Sequence, residues 1–122
     1  MPCGRRLLPF RDPRTHFQDI LDSIALIRSF AADLSLEEYR LDIKTKSAVE
    51  RQLQIMTEAA RRLGDDAELL CPGPDWRAIR DLGNVLRHAY HSIDDGIIWD
   101  AIHDQLPALE ATVAQALAAL NP

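Results

Sequence analysis

The fold is decided by residues 45–64, TKSAVERQLQIMTEAARRLG, in the middle of a chain of 122 residues. Apolar side chains recur there every three or four positions, at Val49, Leu53, Met56, Ala60 and Leu63. This spacing is the period of an α-helix that buries one face. Gly64 follows directly and suits the left-handed residue past a helix end. The stretch therefore predicts a long helix with one face in the core.

Upstream of this helix, Asp12 and Pro13 have the pattern of an N-cap followed by proline at the first helical position. The predicted helix carries an apolar stripe wider than one face, formed by Phe17, Ile20, Leu21, Ile24, Leu26, Ile27, Phe30 and Ala31. A stripe of this width predicts two packing neighbours, one of which could belong to another chain.

Between these two helices, Ser35 and Glu38 have the spacing of a capping box and predict another helix start. Asp42 and Thr45 could each cap a helix as well. The pattern leaves open whether residues 36–43 continue into the long helix or form a separate short turn.

Residues 65–74 contain two aspartates, two prolines and a glycine, and this composition predicts a loop. Asp75 then predicts the N-cap of a helix with the apolar stripe Ile79, Leu82, Leu86, Tyr90 and Ile93. Gly83 adjoins Leu82, where a close backbone approach would need a small residue. A short helix with Ile98 and Ile102 follows, and Pro107 predicts the opening of the last helix.

These elements predict an all-α fold, a four- to five-helix antiparallel bundle, formed by one domain over residues 12–122. Residues 1–11 are expected to be a disordered or frayed tail. The composition, 47% hydrophobic and 27% charged, is typical of a globular protein, and no apolar run is long enough for a membrane span. A cytoplasmic location is expected, with Cys3 and Cys71 as free thiols.

A basic stripe on the helix after Asp75 is the predicted functional surface. It consists of Arg77, Arg80, Asn84, Arg87, His88 and His91, which all avoid the apolar stripe. The formal net charge of −5 argues against a chain covered with nucleic-acid-binding charge, but a local basic patch is compatible with it. Guanidinium groups can hold phosphates and a histidine can transfer protons. On spacing alone, a solvated basic face is a simpler explanation of the stripe than a functional site, and we predict no metal site.

Three separated blocks of the chain resemble the HepT-like family of HEPN-domain proteins. They are KTKSAVERQLQIMTEAARRL (44–63), DWRAIRDLGNVLRHAYHSID (75–94) and IIWDAIHDQLPAL (97–109), in the family's order. The resemblance implies a helical bundle, a homodimer and a metal-independent ribonuclease site without a cofactor, made by an arginine and a histidine near the dimer axis. It also implies a toxin that is neutralised by a partner nucleotidyltransferase antitoxin.

The family motif is an arginine, four to six residues, and then His-x-Tyr. His88 and Tyr90 match it, and Asn84 matches the asparagine that commonly follows the arginine. Gly83 stands at the arginine's own position. The resemblance therefore requires another arginine for catalysis, either Arg80 or Arg87, and we favour Arg80 because it shares a polar face with Asn84 and His88.

The resemblance further implies attack of a ribose 2′-hydroxyl on the adjacent phosphodiester, with His88 as general acid or base and Asn84 orienting the phosphate or His88. Arg77 and His91 would bind RNA phosphates, and Tyr90 would be the tyrosine that the antitoxin adenylylates. A competing interpretation follows from Gly83. It is a HEPN module that has lost cleavage and retains nucleotide binding or association with a nucleotidyltransferase.

Overall fold

The fold is a helical bundle, seen in a computed structural model that describes residues 12–88 and 93–121. Four long helices are α1 (Pro13–Ala31), α3 (Ile43–Leu63), α5 (Trp76–His88) and α7 (Leu106–Leu120). Three helices of six residues are α2 (Leu36–Leu41), α4 (Asp65–Leu70) and α6 (Asp95–Asp100). No β-strand occurs in the described ranges, which confirms the predicted all-α class. None of the helices described is long and apolar enough to cross a membrane.

Two of the predicted caps are those of α1 and α5. Asp12 Oδ1 accepts the backbone N–H of Arg14 at 2.9 Å, and Asp75 Oδ1 accepts that of Ala78 at 3.0 Å. Each carboxylate satisfies a backbone donor that has no partner inside its own helix. Both predicted helix starts are confirmed.

The question left open around residues 36–43 is resolved by a second pair of caps. Ser35 and Glu38 form the complete capping box of α2. Asp42 then accepts the backbone N–H of Thr45 at 2.9 Å and its hydroxyl at 2.8 Å, which starts α3. Because Asp42 ends one helix and caps the next, α2 is a separate short helix.

The predicted loop over residues 65–74 is wrong in its first part, because Asp65–Leu70 forms α4. Gly64 has φ +54°, so the chain leaves α3 through the left-handed region as expected. Asp65, Asp66 and Glu68 then lie in the first turn of α4, where negative charge favours a helix. Ala67 is fully buried and anchors this turn to the core.

The last helix does contain Pro107 in its first turn, as predicted, but it is continuous with α6 through a π-helical turn, Ala101–Gln105. Proline lacks the N–H that an α-helix needs, and its ring collides with the carbonyl one turn earlier. The wider π turn, in which the Leu106 N–H donates to the Ala101 carbonyl, accommodates that ring.

The core lies between the long helices. Arg14 hydrogen-bonds to Asn121 and Arg28 forms an ion pair with Glu110, so α1 and α7 run antiparallel. α1 also packs along α3, and α5 packs on α3. The stripes of the sequence supply the buried side chains, among them Phe17, Ile20, Ile24, Ile27, Val49, Leu53, Met56, Leu63, Trp76, Leu86 and Val113.

Gly83 lies where α5 comes closest to α3, as the sequence indicated. A β-carbon at this position would lie 2.8 Å from Thr57 Cβ and 2.9 Å from Thr57 Oγ1. Thr57 has little room to move, because it is 1% exposed and its hydroxyl donates to the Leu53 carbonyl at 2.8 Å. The glycine therefore sets the distance between the two helices.

We predict that Gly83→Ala destabilises the protein, although alanine is the better helix former by about 1 kcal/mol. The added methyl group overpacks the contact with Thr57, which typically costs about 1–3 kcal/mol. Urea unfolding should show a net loss of stability, whereas Asn84→Ala on the exposed side of α5 should have a small effect. A gain in stability for Gly83→Ala would contradict the close contact.

Candidate active site

The predicted site residues occupy the outer side of α5, with His88 and Asn84 exposed near its C-terminal end. Tyr90 and His91 lie outside the described residues. Arg77 is exposed in the first turn, eleven residues before His88, or roughly 16 Å along the helix axis. Asn84 and His88 are thus the described pair that one ligand group could reach together.

Arg87 lies in the same turn as this pair. Its guanidinium group donates to Asn84 Oδ1, and Nη1 lies 3.9 Å from Glu58 Oε1 on α3. The side chain is 37% exposed. Arg87 therefore stands next to His88 in sequence, with its guanidinium held over Asn84 and still open to solvent.

Arg80 is directed elsewhere. Its guanidinium group donates to both carboxylate oxygens of Glu68, at 2.8 and 3.0 Å, and to the Gly64 carbonyl at 2.8 Å. These bonds fasten α5 to the start of α4. Arg80 also precedes His88 by eight residues, or about 12 Å along the axis. The polar face that the sequence predicted exists, but its two candidate arginines have different partners.

Glu58 is a site residue that the sequence analysis missed. Arg61 donates to both of its oxygens, at 3.0 and 2.6 Å, and Arg62 Nε donates to Oε2 at 2.9 Å. The hydrogen bonds from Arg61, opposed by partial burial and reinforced by Arg62, lower the pKa of Glu58 to about 2. The spacing Glu-x-x-Arg-Arg could have indicated the pairs within α3, but not the contact with Arg87.

Two depressions on the described part of the surface differ in chemistry. One, of about 260 Å³, lies between α1 and α3 and is lined by the polar or charged residues His16, Asp19, Arg51, Gln54, Glu58 and Arg62 together with Ile55 and Ala59. The other, of about 570 Å³, is an apolar groove lined by residues of α3, α5, α6 and α7 that include Met56, Ile79, Leu82, Ile98 and Leu109. Site residues of the described part of α5 do not line the apolar groove.

The remaining histidines and the described cysteine have structural surroundings. His16 is 6% exposed, and His103 shares a 2.8 Å hydrogen bond with the Trp99 carbonyl. Cys71 is free and buried, and burial raises the pKa of its thiol. Within residues 12–88 and 93–121, histidine, cysteine and carboxylate side chains do not gather into a group that could hold a metal ion.

Comparison with known proteins places these residues in a family context. A family model described as "Ribonuclease HepT-like" matches residues 20–116. The chain is 31% identical over 100 residues to a protein of Thermococcus cleftensis named as a probable ribonuclease HepT, covering 82% of this chain and 91% of the relative. It is 33% identical to a protein of Methanocaldococcus jannaschii described as a candidate RNase, covering 82% and 83%. No solved structure matches the chain significantly.

The lowered pKa of Glu58 predicts a pH-dependent contribution to stability. Because the folded-state pKa of about 2 is below the ordinary 4.5, the ion pairs stabilise the fold above about pH 4.5 and are lost as the pH falls toward 2. Glu58→Gln should lower the free energy of unfolding at pH 7 by up to about 1 kcal/mol, a value reduced for solvent screening.

Urea unfolding of both proteins between pH 7 and pH 2 measures this difference, which should shrink as the pH falls. Carboxyl NMR titration should give a pKa of about 2 for Glu58. A stability difference that does not change with pH, or an ordinary pKa, would contradict the description of this ion-pair cluster.

Proposed function

Because the chain belongs to the HepT-like ribonuclease family, we propose that it is an endoribonuclease whose chemistry is carried by His88. The observation that carries this proposal is that Asn84, Arg87 and His88 lie within the last five residues of α5, with the Arg87 guanidinium group hydrogen-bonded to Asn84. His88 is exposed and follows Arg87 in the chain, so a phosphate held by the exposed guanidinium group would lie within about one helical turn of a histidine that can move protons. The family match supports RNA as the substrate.

The proposed reaction needs no metal ion. His88, as general base, removes the proton of a ribose 2′-hydroxyl, and the oxygen attacks the adjacent phosphorus. The bond from phosphorus to the 5′-oxygen breaks, and that oxygen takes up a proton from a protonated histidine, which leaves a 2′,3′-cyclic phosphate and a 5′-hydroxyl end. RNA is required because DNA lacks the attacking hydroxyl. A second His88 across a dimer axis would allow the acid and base roles to be divided.

Arg87 is our candidate for the group that stabilises the phosphorane. The sequence favoured Arg80, but its guanidinium group is bound to Glu68 and the Gly64 carbonyl about 12 Å along the axis from His88. Arg87 adjoins His88, is held over Asn84, and contacts Glu58 at the longer distance of 3.9 Å. Moving it onto a phosphate therefore breaks fewer strong contacts than moving Arg80.

A second candidate function follows from the packing of Gly83. The family's arginine position is pressed against Thr57 here, so an arginine could not be accommodated without a shift of α3 or α5. This observation favours a HEPN module that binds nucleotides or a nucleotidyltransferase without cleaving RNA. Gly83→Arg is accordingly a poor test of the missing side chain, because it disturbs the helix contact as well.

The biological setting that we propose is that of a cytoplasmic toxin with a nucleotidyltransferase antitoxin, following the family resemblance. Tyr90, outside the described residues, is the proposed adenylylation site, and Arg77 and His91 are proposed to bind RNA phosphates. An adenylyl group near His88 would add negative charge beside the site and repel the RNA backbone.

The two arginines provide a matched test of the nuclease proposal. We expect purified protein to cleave single-stranded RNA in the presence of chelator and to leave cyclic phosphate ends. His88→Ala should abolish cleavage. Arg87→Ala should slow it about a hundredfold, because an unneutralised phosphorane costs on the order of 3 kcal/mol. Arg80→Ala should retain the rate, after circular dichroism has confirmed that each variant is folded.

Equal activity of wild type and His88→Ala, or loss of activity with chelator, would refute this mechanism. A strong effect of Arg80→Ala with a weak effect of Arg87→Ala would return the catalytic role to Arg80. RNA binding without cleavage by the wild type would select the binding module instead.

A homodimer is the proposed assembly, because two large apolar side chains of α1 face solvent. Leu26 is 43% and Phe30 is 37% exposed, and both lie in the C-terminal half of α1, at least seven residues or roughly 10 Å beyond Asp19. Light scattering should give the mass of a dimer at micromolar concentration. Leu26→Glu with Phe30→Glu should give a monomer, since a buried interface does not tolerate unpaired charge. Leu69→Glu, at a residue 74% exposed on α4, is the control.

A further inference from the structure

We propose that the outer face of α3 is a binding surface for the RNA backbone, on which Arg51, Arg61 and Arg62 hold phosphates of the strand whose cleavage takes place at α5. We call it the α3 arginine face. The inference rests on the proposed ribonuclease function and adds a binding site outside the family motif.

The charges of the α3 arginine face are unbalanced. Arg61, Arg62 and Arg87 share the single carboxylate of Glu58, so positive charge remains when each of the pairs is formed. Arg51 is hydrogen-bonded to the neutral Gln54 amide at 3.4 Å. Asp19 on α1 offsets part of this charge at one edge. A chain with a net charge of −5 thus concentrates guanidinium groups on one face. Such a local patch attracts phosphates.

The α3 arginine face is positioned so that an RNA strand bound on it would also pass the end of α5 that carries His88. Arg80 hydrogen-bonds to the Gly64 carbonyl and Gly83 packs on Thr57, so α5 runs antiparallel to α3. Along the axis of α3, His88 therefore lies near the level of Gln52. Glu58 contacts Arg87 directly. The α3 arginine face therefore begins at the proposed site rather than at a separate place on the bundle.

The length and shape of the face suit a backbone. Arg51 and Arg62 are eleven residues apart, which separates them by roughly 16 Å along α3 and by about 20° around it. Both line the depression of about 260 Å³ between α1 and α3. At about 3.4 Å per nucleotide of a stacked strand, this length spans about five phosphates.

The guanidinium groups of the face are available to a ligand. The side chains of Arg61 and Arg62 are 56% and 58% exposed, against 26% for Arg80 in its structural ion pair. Guanidinium groups form paired hydrogen bonds with phosphate oxygens. Six of the eight residues that line the depression are charged or polar, with Ile55 and Ala59 as the apolar members, whereas the core of a protein interface is depleted of charged residues. These properties favour RNA over a protein partner.

Binding by the cleavage-inactive His88→Ala protein tests this surface apart from catalysis. Anisotropy of a labelled single-stranded RNA is measured over a range of salt concentrations. Adding Arg51→Ala and Arg62→Ala should weaken RNA binding at least tenfold at low salt. The slope of the logarithm of the binding constant against the logarithm of the salt concentration should decrease in magnitude by roughly 0.7 for each phosphate that the protein no longer binds. Arg51→Lys with Arg62→Lys should retain most of the slope. The control, Arg28→Ala with Arg40→Ala, changes the net charge equally on other helices and should bind as the parent does.

Arg51→Ala with Arg62→Ala in the protein that retains His88 should raise KM and leave kcat unchanged. If the wild type does not cleave RNA, the proposed function fails, while the anisotropy experiment still decides the binding surface. If Arg51→Ala with Arg62→Ala binds RNA as tightly as the control pair does, the proposed α3 arginine face is wrong. Loss of the dimer in Arg51→Ala with Arg62→Ala would also overturn it, because the side chains would then hold a second copy of the chain.

Discussion

The contact between Gly83 and Thr57 is the constraint on which the proposed site depends. With no β-carbon at residue 83, α5 approaches α3 closely enough for Arg87 to reach Glu58 and for Arg80 to reach Gly64. A larger side chain would move the helices apart, and both contacts would lengthen. The geometry of the candidate active site is therefore a result of helix packing, and the polar groups adopt positions that the apolar contact permits.

Acidic residues decide what each arginine of this region can do. Glu68 holds Arg80 through two hydrogen bonds and makes it a structural link to α4. Glu58 is shared among Arg61, Arg62 and Arg87, so none of the three has a carboxylate to itself. Arginines of one stripe thus differ in their availability to phosphate although their residue type is the same.

Much of the fold could be predicted because its signals are local. Periodicity identified the long helices, and the caps at Asp12, Ser35 and Asp75 depend on residues two or three positions away. α4 was missed because the aspartates and prolines of residues 65–74 favour a loop, while the burial of Ala67, which anchors the helix, leaves no local signal in the sequence. For the site, the pattern located the polar face of α5 but not the partners of Arg80 and Arg87, since Glu68 and Glu58 belong to other helices. The roles of Tyr90 in adenylylation and of His91 in phosphate binding remain predictions.

The packing of Gly83 also limits how this lineage could change. An ancestor or descendant with arginine at residue 83 would need a smaller side chain at residue 57 or a shift of α3 or α5, because its β-carbon meets Thr57. Gain of the family arginine in this packing is therefore not a single independent step. The residue that permits the substitution is on another helix, so the history of the motif includes a position that takes no part in the chemistry.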